Sequence, residues 1–517
     1  MKRFFLIFLW VGAISMLQAQ SLQKTALKID ELKISTTFSG NYGDVYGFGS
    51  DEKNYYVYLE RENSFFIVNK KFTPPAKKYP IKGEKGDIFL KILTTESDVM
   101  VLVARNKKSE HKMQIIKQLY AKTTGKLRDE TVIASSAMSK SENWLFRSEI
   151  SADKTKTGFL FMIASKKNTV DSYYAAVLNQ DGGLEWDVTH DLEISNEAFS
   201  IQDLAVTNKG ELYVALLSFP EKAKKAVDKK LYIDLLLLTD GTKDKMKIPI
   251  EKYAEGEVKL KILKSGNLCL AALFGVDEKS YKKEFFSLKI SASTFNEAGS
   301  GKKEIEEKNT HLGLYMGGLA PSKLLYDLEI EKILELDNGD IAVVCEQGIA
   351  ASYGTVAYQN GVANTAHAAS MTVYYKIRGS VTTFFVKGED ASVVDVSVMD
   401  KYQLSRSQVD YDAKCFNLSI YPFVYGNKVG YIFNDCLKKY TTPAKYKKGT
   451  SFKNVDGKDA CIVLNTQESG EKAKIALLSG NVAAGRLVRQ ILFEEEDKLI
   501  VLTQNKKGAY IETLTLP

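Results

Sequence analysis

The side chains that most often carry out chemistry are few and widely spaced in this sequence. Its four histidines, His111, His190, His311 and His367, form no H-x-H or H-x-x-x-H pair of the kind that binds zinc. No G-x-S-x-G turn is present to hold a serine nucleophile. We therefore predict no catalytic residue, no metal ligand and no cofactor.

Carboxylates are abundant, and they can act without a recognisable motif. The chain has 64 Asp and Glu residues, and glycoside hydrolysis needs two of them about 5 to 10 Å apart across a cleft. The sequence nominates no such pair. The acidic segments Asp337–Asp340 and Asp456–Asp459 lack the alternating spacing of a calcium loop. Because hairpin tips use Asp, Asn and Gly, we interpret both segments as turns.

Two glycine-rich segments match nucleotide-binding loops only in part. In the string Gly299-Ser300-Gly301-Lys302, Asn296 stands where a phosphate loop needs its first Gly. Lys303 replaces the Ser or Thr that would bind magnesium. We interpret the string as a flexible loop. The glycines at 43–49 are not followed by a helix pattern, so a dinucleotide-binding loop is also rejected.

The first twenty residues, M-K-R-F-F-L-I-F-L-W-V-G-A-I-S-M-L-Q-A-Q, have the layout of a secretory signal peptide. A positive start precedes an apolar run from Phe4 to Ile14, and Ala19 is suited to precede the cleavage site. We predict a signal peptide at 1–19 and export to the periplasm, the outer surface or the medium. A retained signal anchor is the alternative. No later run approaches the roughly 18 apolar residues of a spanning helix, so we predict no transmembrane segment in the mature chain.

The charge pattern argues against a nucleic-acid partner. The formal net charge is +7, but the basic residues are nearly all Lys and alternate with Asp and Glu. Arg, which suits bidentate phosphate recognition, is scarce. We expect a lysine-rich, solvated surface.

The chain has five cysteines and no C-x-x-C motif. An odd number leaves at least one thiol outside any intrachain bridge. Cys415, Cys436 and Cys461 lie in the last fifth of the chain, so an oxidising compartment allows one disulfide among them. Cys269 and Cys345 lie inside apolar runs, and we predict that they are buried small side chains.

Short strands joined by polar tips are the elements that would position any site. In Ile201–Leu217, a strand leads to the tip Thr207–Gly210, and a second strand, Leu212 to Leu217, leaves it. Asn and Gly tolerate the positive φ of a tight turn, and β-branched and aromatic residues suit strands. The same outline recurs along the chain with tips mostly about 45 to 60 residues apart, close to the spacing of propeller repeats.

We therefore predict an all-β fold, a β-propeller of seven or eight four-stranded blades. An N-terminal strand is expected to complete the last blade, which hides both edges of the ring. The predicted organisation is a signal peptide at 1–19, a lead-in at 20–32 and a single propeller domain at 33–517. Two consecutive β domains are the alternative.

One segment, 348–375, departs from the repeat because it contains no Lys, Arg, Asp or Glu in a chain that is 26% charged. Its small residues, with Tyr, Asn and Gln, suit a contact surface that packs closely and still forms hydrogen bonds. We predict an insertion that contacts a partner or ligand through Tyr353, Tyr358 and His367. A loop folded over its own blade is the alternative.

Three segments of the C-terminal part resemble uncharacterised secreted bacterial β-propeller proteins. They are L-D-N-G-D-I-A-V-V-C-E-Q at 336–347, M-T-V-Y-Y-K-I at 371–377 and Y-I-F-N-D at 431–435. The resemblance implies export and a propeller fold. It transfers no catalytic residue.

Two functions are compatible with these features. The first is a non-catalytic binding or assembly module in the periplasm or at the cell surface, with a protein or glycan of the cell envelope as its partner. The missing catalytic motifs and the many loops of a propeller favour it. The alternative is a hydrolase of glycans or peptides, with carboxylates around the central channel. Convergent carboxylates in the channel would favour the enzyme, and a channel filled by apolar side chains would favour the module.

Overall fold

The computed structural model of the protein describes most of the chain from residue 45 onward, together with a short N-terminal strand. The described residues are 27–28, 45–72, 77–84, 87–107, 109–110, 112–137, 143–164, 170–191, 199–218, 231–250, 256–275, 282–306, 327–356, 370–399, 401, 403–407, 419–436, 460–471, 474–477, 487–495, 498–505 and 508–516. The predicted signal peptide lies outside them. No helix in these residues is long and apolar enough to cross a membrane.

The described residues form eight antiparallel sheets, which we number as blades in chain order. Blade 1 is β2 (Val45–Ser50), β3 (Asn54–Leu59), β4 (Ser64–Asn69) and β5 (Lys77–Pro80), with a 3₁₀ helix at Glu60–Glu62. Blade 2 is β6 (Ile88–Thr94), β7 (Asp98–Lys107), β8 (Lys112–Ala121) and β9 (Leu127–Ala137). Blade 3 is β10 (Asn143–Ile150), β11 (Lys156–Ala164), β12 (Val170–Asn179) and β13 (Leu184–Asp191). Blade 4 is β14 (Phe199–Val206), β15 (Leu212–Ser218), β16 (Leu231–Thr239) and β17 (Thr242–Ile250).

The second half of the ring has one enlarged blade. Blade 5 is β18 (Gly256–Ile262), β19 (Leu268–Gly275), β20 (Lys282–Ile290) and β21 (Glu297–Glu306). Blade 6 is β22 (Asp327–Glu335), β23 (Ile341–Val356), β24 (Ser370–Val386) and β25 (Val393–Met399), and a fifth strand, β26 (Gln403–Ser407), also pairs with β24. Blade 7 is β27 (Tyr421–Tyr425), β28 (Lys428–Cys436), β29 (Ala460–Gln467) and β30 (Lys474–Leu477). Blade 8 is β31 (Leu487–Glu495), β32 (Lys498–Asn505), β33 (Gly508–Thr515) and β1 (Leu27–Lys28).

The prediction of an all-β propeller is confirmed, with eight blades. The N-terminal strand β1 pairs with β33, Leu27 opposite Ile511 and Lys28 opposite Tyr510, so the last blade takes its outer strand from the start of the chain. The first strands of consecutive blades contact one another around most of the ring, and these inner strands form the wall of the central channel. Any site in the channel is therefore built from inner strands.

The tips fold as their residues dictate. In blade 4, Gly210 has a φ of +85°, its N–H donates to the Thr207 carbonyl, and the Thr207 hydroxyl accepts the Glu211 N–H at 3.0 Å. In blade 6, Gly339 has a φ of +83°, and the Asn338 side chain accepts the Asp340 N–H. The interpretation of Asp337–Asp340 as a turn is confirmed. Asp456–Asp459 lies outside the described residues.

The hydrophobic core is divided into eight clusters, and each cluster lies between two neighbouring blades. One joins blades 4 and 5 through Tyr213, Leu235 and Leu270, and another joins blades 8 and 1 through Ile500 and Val57. Cys269 and Cys345 are buried in the cluster between blades 5 and 6, as predicted. Since burying one such aliphatic or aromatic side chain contributes about 1.5 to 3 kcal/mol, each blade is stabilised mainly by its two neighbours.

The prediction of a flexible loop at 299–302 is wrong. These residues belong to β21, the outer strand of blade 5, where Ser300 pairs with Leu288. A Cβ on Gly299 would lie 2.2 Å from the Asp390 carbonyl oxygen, and one on Gly301 would lie 2.5 Å from that of Ala391. The glycines let the backbone of blade 6 approach this strand closely, so they serve packing and not flexibility.

Candidate functional site

Two cavities open along the channel. The first, of about 480 Å³, lies where the inner strands β22, β27, β31 and β2 face one another; we call it the blade 6–7 cavity. The second, of about 750 Å³, lies between blades 8, 1, 2 and 3; we call it the blade 1–2 cavity. Tyr46, Ile491 and Glu494 line both, so the two cavities are adjoining parts of one channel.

Bulges in the inner strands aim side chains at this channel. In blades 1, 2, 4 and 6, one inner-strand residue has no Cα partner on the second strand. These extra residues are Phe48, Leu90, Gln202 and Glu331. A bulge re-aims a side chain and breaks the regular alternation of the strand. Of these residues, Phe48 and Leu90 line the blade 1–2 cavity, and Glu331 lines the blade 6–7 cavity.

Most polar side chains at these junctions satisfy backbone groups of the next blade. Gln202 accepts the N–H of Val258 at 3.3 Å, and Asp203 accepts that of Leu260 at 2.7 Å. At the next junction, Glu257 accepts the N–H of Ile330 at 2.7 Å. Burial raises the pKa of Asp203 and the Leu260 N–H opposes that rise. These carboxylates form hydrogen bonds between neighbouring blades, so their presence in the channel does not indicate catalysis.

Glu331 departs from this arrangement. Its side chain lines the blade 6–7 cavity together with Pro422 of the next inner strand, and proline has no backbone N–H to donate. Among the described residues, the hydrogen bond that Glu331 accepts is a long one of 3.5 Å from Arg378. Burial, and then the charge of Glu346, raise the pKa of Glu331 to about 7.

A buried charge network lies behind Glu331. Glu346 and Lys401 form an ion pair, and both side chains are fully buried. Arg378 lies 2.9 Å from Glu329, 3.5 Å from Glu331 and 3.8 Å from Glu346. Burial lowers the pKa of Lys401, while Glu346 opposes that shift. The network joins the second and third strands of blade 6 to the segment that follows β25.

Polar side chains complete the network without leaving it exposed. The Gln403 oxygen accepts hydrogen bonds from the Lys401 ammonium (2.8 Å) and from the Ser419 N–H (2.9 Å). The amide nitrogen of Gln403 donates to the Asn434 carbonyl, and the Ser419 hydroxyl donates to Glu346. Because Ser419 also lines the cavity, the network reaches the channel at two side chains.

Lys332, the residue that follows Glu331, contacts blades 7 and 8. Lys332 donates to the Pro422 carbonyl at 3.2 Å and forms a 2.7 Å ion pair with Glu494 of blade 8. It thus links blades 6, 7 and 8 on the channel side. In the described part of the cavity lining, the carboxylates are Glu331 and Glu494, and of these two Glu494 forms an ion pair with a lysine, Lys332.

The blade 1–2 cavity is more apolar. Phe48, Phe89 and Phe493 line it, and the Phe89 ring stacks on Tyr58 with centroids 4.2 Å apart. A Cβ on Gly47 would lie 2.3 Å from the Leu492 carbonyl oxygen, so this glycine permits the close contact of blades 1 and 8. The channel is therefore neither filled by apolar side chains throughout nor lined by converging carboxylates throughout.

The uncharged segment extends two strands of blade 6. The first strand, β22, pairs with β23 only as far as Gly348, opposite Asp327. Beyond that point, β23 and β24 continue as a two-stranded hairpin from Ile349–Ile377 to Val356–Ser370. We call residues 349–356 and 370–377 the arm. At about 3.4 Å per residue, it extends roughly 25 Å past the end of β22.

The arm joins the ring at the charge network. Arg378 stands opposite Gly348 on one side and Gln403 on the other. The fifth strand, β26, covers one edge of the base by pairing with β24 from Tyr374 to Arg378. In the described residues, the other edge, 349–356, pairs with β24 alone.

The predicted contact residues are only partly placed. Tyr353 stands on the arm with its Cα opposite Val373. Tyr358 and His367 lie outside the described residues. Among the other histidines, His190 lies in β13 with its ring 5.6 Å from that of Tyr173, and His111 and His311 are not described. No three His, Cys, Asp or Glu residues of the described chain are grouped to hold a metal ion.

The predicted disulfide stays a prediction. Cys436 has a free thiol, and Cys461 is buried with its sulfur 3.5 Å from the Asp435 carbonyl oxygen. Cys415 lies outside the described residues.

Sequence reasoning missed Glu331, Glu346, Lys401 and Arg378. The first two lie in strands of ordinary charge content, and Lys401 follows a strand in a sequence rich in lysine. One signal was available: Glu346 follows five apolar residues of a strand predicted to be buried, and a carboxylate there needs a buried cation.

No protein-family model and no curated protein matches the chain. Solved structures similar to it include a protein of unknown function from Bacteroides caccae, at 9% identity over 69% of this chain and 93% of that chain, with a TM-score of 0.25. The polysaccharide lyase Uly1 matches at 9% identity over 85% of this chain and 92% of that chain, with a TM-score of 0.36. The propeller domain of the Trilobed protease from Pyrococcus furiosus matches at 9% identity over 84% of this chain and 97% of that chain, with a TM-score of 0.31. Uncharacterised bacterial proteins and propeller domains are among the matches.

Proposed function

We propose that the protein is an exported, non-catalytic binding or assembly module, and that its arm contacts a protein or glycan of the cell envelope. The observation that carries this proposal is the arm itself: two strands leave their blade together, and their sequence has no charged side chain between Gly348 and Tyr375. A paired, uncharged hairpin offers a backbone edge and small side chains to a partner at low desolvation cost. The channel carboxylates Asp203 and Glu257 are engaged by backbone N–H groups, which also favours a module.

Shortening the arm tests this proposal. Residues 353–373 are replaced by Asn-Gly, so that the pair Ser352–Tyr374 closes on a two-residue turn and the pairing of β26 with 374–378 is kept. We expect an unchanged melting temperature, because the clusters between blades are untouched. An envelope component that the immobilised full chain retains, and that rebinds after purification, should not be retained by the shortened chain.

Two outcomes contradict the proposal. If the shortened chain binds the purified component with the same affinity, the arm is not the contact. If it fails to fold, the segment is part of its own blade, which is the alternative interpretation of 348–375.

A hydrolase of glycans or peptides is the second candidate, and the pair Glu331 and Glu494 favours it. Both line the blade 6–7 cavity. The raised pKa of Glu331, about 7, suits a general acid, and Glu494 forms an ion pair with Lys332 at the same cavity. If the protein is a hydrolase, Glu331→Gln and Glu494→Gln should each reduce turnover at least about 100-fold, as expected for loss of general acid–base catalysis, while each variant remains folded. Turnover that survives both changes would reject this pair.

A further inference from the structure

The blade 6–7 cavity has a polar face formed by side chains of three blades. Its volume of about 480 Å³ is well above that of a single water molecule, and four inner strands or their approaches surround it. Glu331 and Ser419 connect it to the buried network, so the groups at its floor are held in place from behind. A preformed, rigid polar floor is typical of a small-molecule site.

The junction of blades 6 and 7 differs from its neighbours in its backbone donors. Between blades 4 and 5, Gln202 and Asp203 take backbone N–H groups of the next inner strand, and between blades 5 and 6 Glu257 does the same. Between blades 6 and 7, Glu331 faces a cavity that Pro422 lines, and proline offers no N–H.

The charges around Glu331 do not balance. Among the described residues, the network has the carboxylates Glu329, Glu331 and Glu346 and the cations Arg378 and Lys401, and Asp435 also acts on Lys401. Lys401 contacts Glu346, and Arg378 lies closest to Glu329. The described carboxylates therefore outnumber the described cations, and Glu331 is the one of them that lines the cavity. The adjacent Lys332 does not compensate it, because its ammonium is bound to Glu494 and to the Pro422 carbonyl.

We propose that the blade 6–7 cavity binds an amino sugar, with the ammonium group of the ligand on the Glu331 carboxylate. An ammonium supplies the missing cation and the missing donor together, in a charge-assisted hydrogen bond. Half-buried Tyr46 and Tyr421 line the same cavity, where Tyr46 also stacks on Tyr58, and the Gln490 amide can bond the hydroxyls of a sugar. This site is separate from the arm, so it does not rest on the function proposed for the arm.

Three ligands differing at one position test the proposal on the full chain. Glucosamine, N-acetylglucosamine and glucose are titrated separately into the protein at neutral pH in a calorimeter. We expect glucosamine to bind at least about tenfold more tightly than the other two, since only its amine carries a charge. Equal affinities for the three sugars, or no binding of glucosamine, would overturn the proposal.

Variants locate the binding. Glu331→Gln should weaken glucosamine binding at least about tenfold, because the amide keeps the shape and removes the charge. Glu185→Gln, on the outer strand of blade 3, should leave it unchanged. The chain with the shortened arm should bind glucosamine like the full chain. Should Glu331→Gln not fold, the three-sugar comparison decides alone.

One further ligand separates the sugar from a peptide side chain. Nα-acetyl-lysine amide carries an ammonium on a flexible chain and has no ring to place against the tyrosines. We expect it to bind more weakly than glucosamine. If it binds as tightly, the cavity recognises an ammonium group alone and the assignment to an amino sugar is wrong.

Discussion

Replacing Lys401 by methionine is expected to lower the free energy of unfolding by about 3 to 5 kcal/mol. Lys401 and Glu346 are both fully buried and contact each other, so the substitution leaves the Glu346 carboxylate in the interior without its closest cation. Arg378 lies 3.8 Å from Glu346 and is shared with two other carboxylates, so it compensates only in part. Chemical denaturation at neutral pH measures the loss.

Two control variants separate the buried charge from the loss of a side chain. The double variant Lys401→Met with Glu346→Gln removes both charges of the buried pair, and the amide still accepts the Ser419 hydroxyl. It should recover most of the lost stability, because replacing both members of a buried pair is often nearly neutral. Lys332→Met breaks the more exposed pair with Glu494 and should cost much less. A single variant no less stable than the double would contradict this account.

The ring was predictable because its signals are local. Tips such as Thr207–Gly210 and Asp337–Asp340 need only a few residues to turn, and the flanking strands alternate as sheets require. The recurring tips predicted seven or eight blades, and the described residues form eight. The sequence predicted that an N-terminal strand would complete the last blade, but not that Leu27–Lys28 would form it, because two residues show no periodicity. Their pairing gives β33 a hydrogen-bonded neighbour on its outer edge.

The cavity was not predictable because its parts come from distant segments. Glu331, Ser419 and Glu494 belong to three blades, and what brings them together is the curvature of the ring. The bulge at Glu331 leaves one trace in the sequence, because the apolar alternation of L-E-I-E-K-I breaks between Ile330 and Ile333, but this break does not show which cavity Glu331 faces. Pro422 was visible, but the consequence of its missing N–H depends on which neighbour faces it.

The error at 299–302 has a similar origin. Glycine in a short charged stretch is equally typical of a mobile loop and of a strand approached closely by another backbone. Only the position of Asp390 and Ala391 in the next blade distinguishes these cases, and that position is set by the packing of blades 5 and 6. Local composition therefore predicts the strands of each blade. The role of an individual glycine or carboxylate depends on the contacts between blades.

Replacing Glu331 by glutamine is expected to stabilise the protein above neutral pH and to have little effect in acid. The pKa of Glu331 is raised from 4.5 to about 7 in the folded protein. Between these values the folded chain retains a proton that the unfolded chain has released, so the contribution of Glu331 to stability falls as the pH rises through this window. Above it, the folded protein holds a buried carboxylate at a cost of roughly 3 kcal/mol, at about 1.4 kcal/mol per pKa unit.

Denaturation of both proteins at pH 5 and pH 8 measures this effect. Glutamine carries no charge at either pH, so the variant should exceed the wild type by up to roughly 3 kcal/mol at pH 8, and the gain should shrink strongly by pH 5. Glu329→Gln, on the same strand but half exposed beside Arg378, is the matched control for removing a carboxylate from this strand. A gain equal at both pH values would mean that Glu331 acts through its shape. A loss at pH 8 would mean that Arg378 already compensates its charge, and the cavity would then have no unmatched charge to offer a ligand.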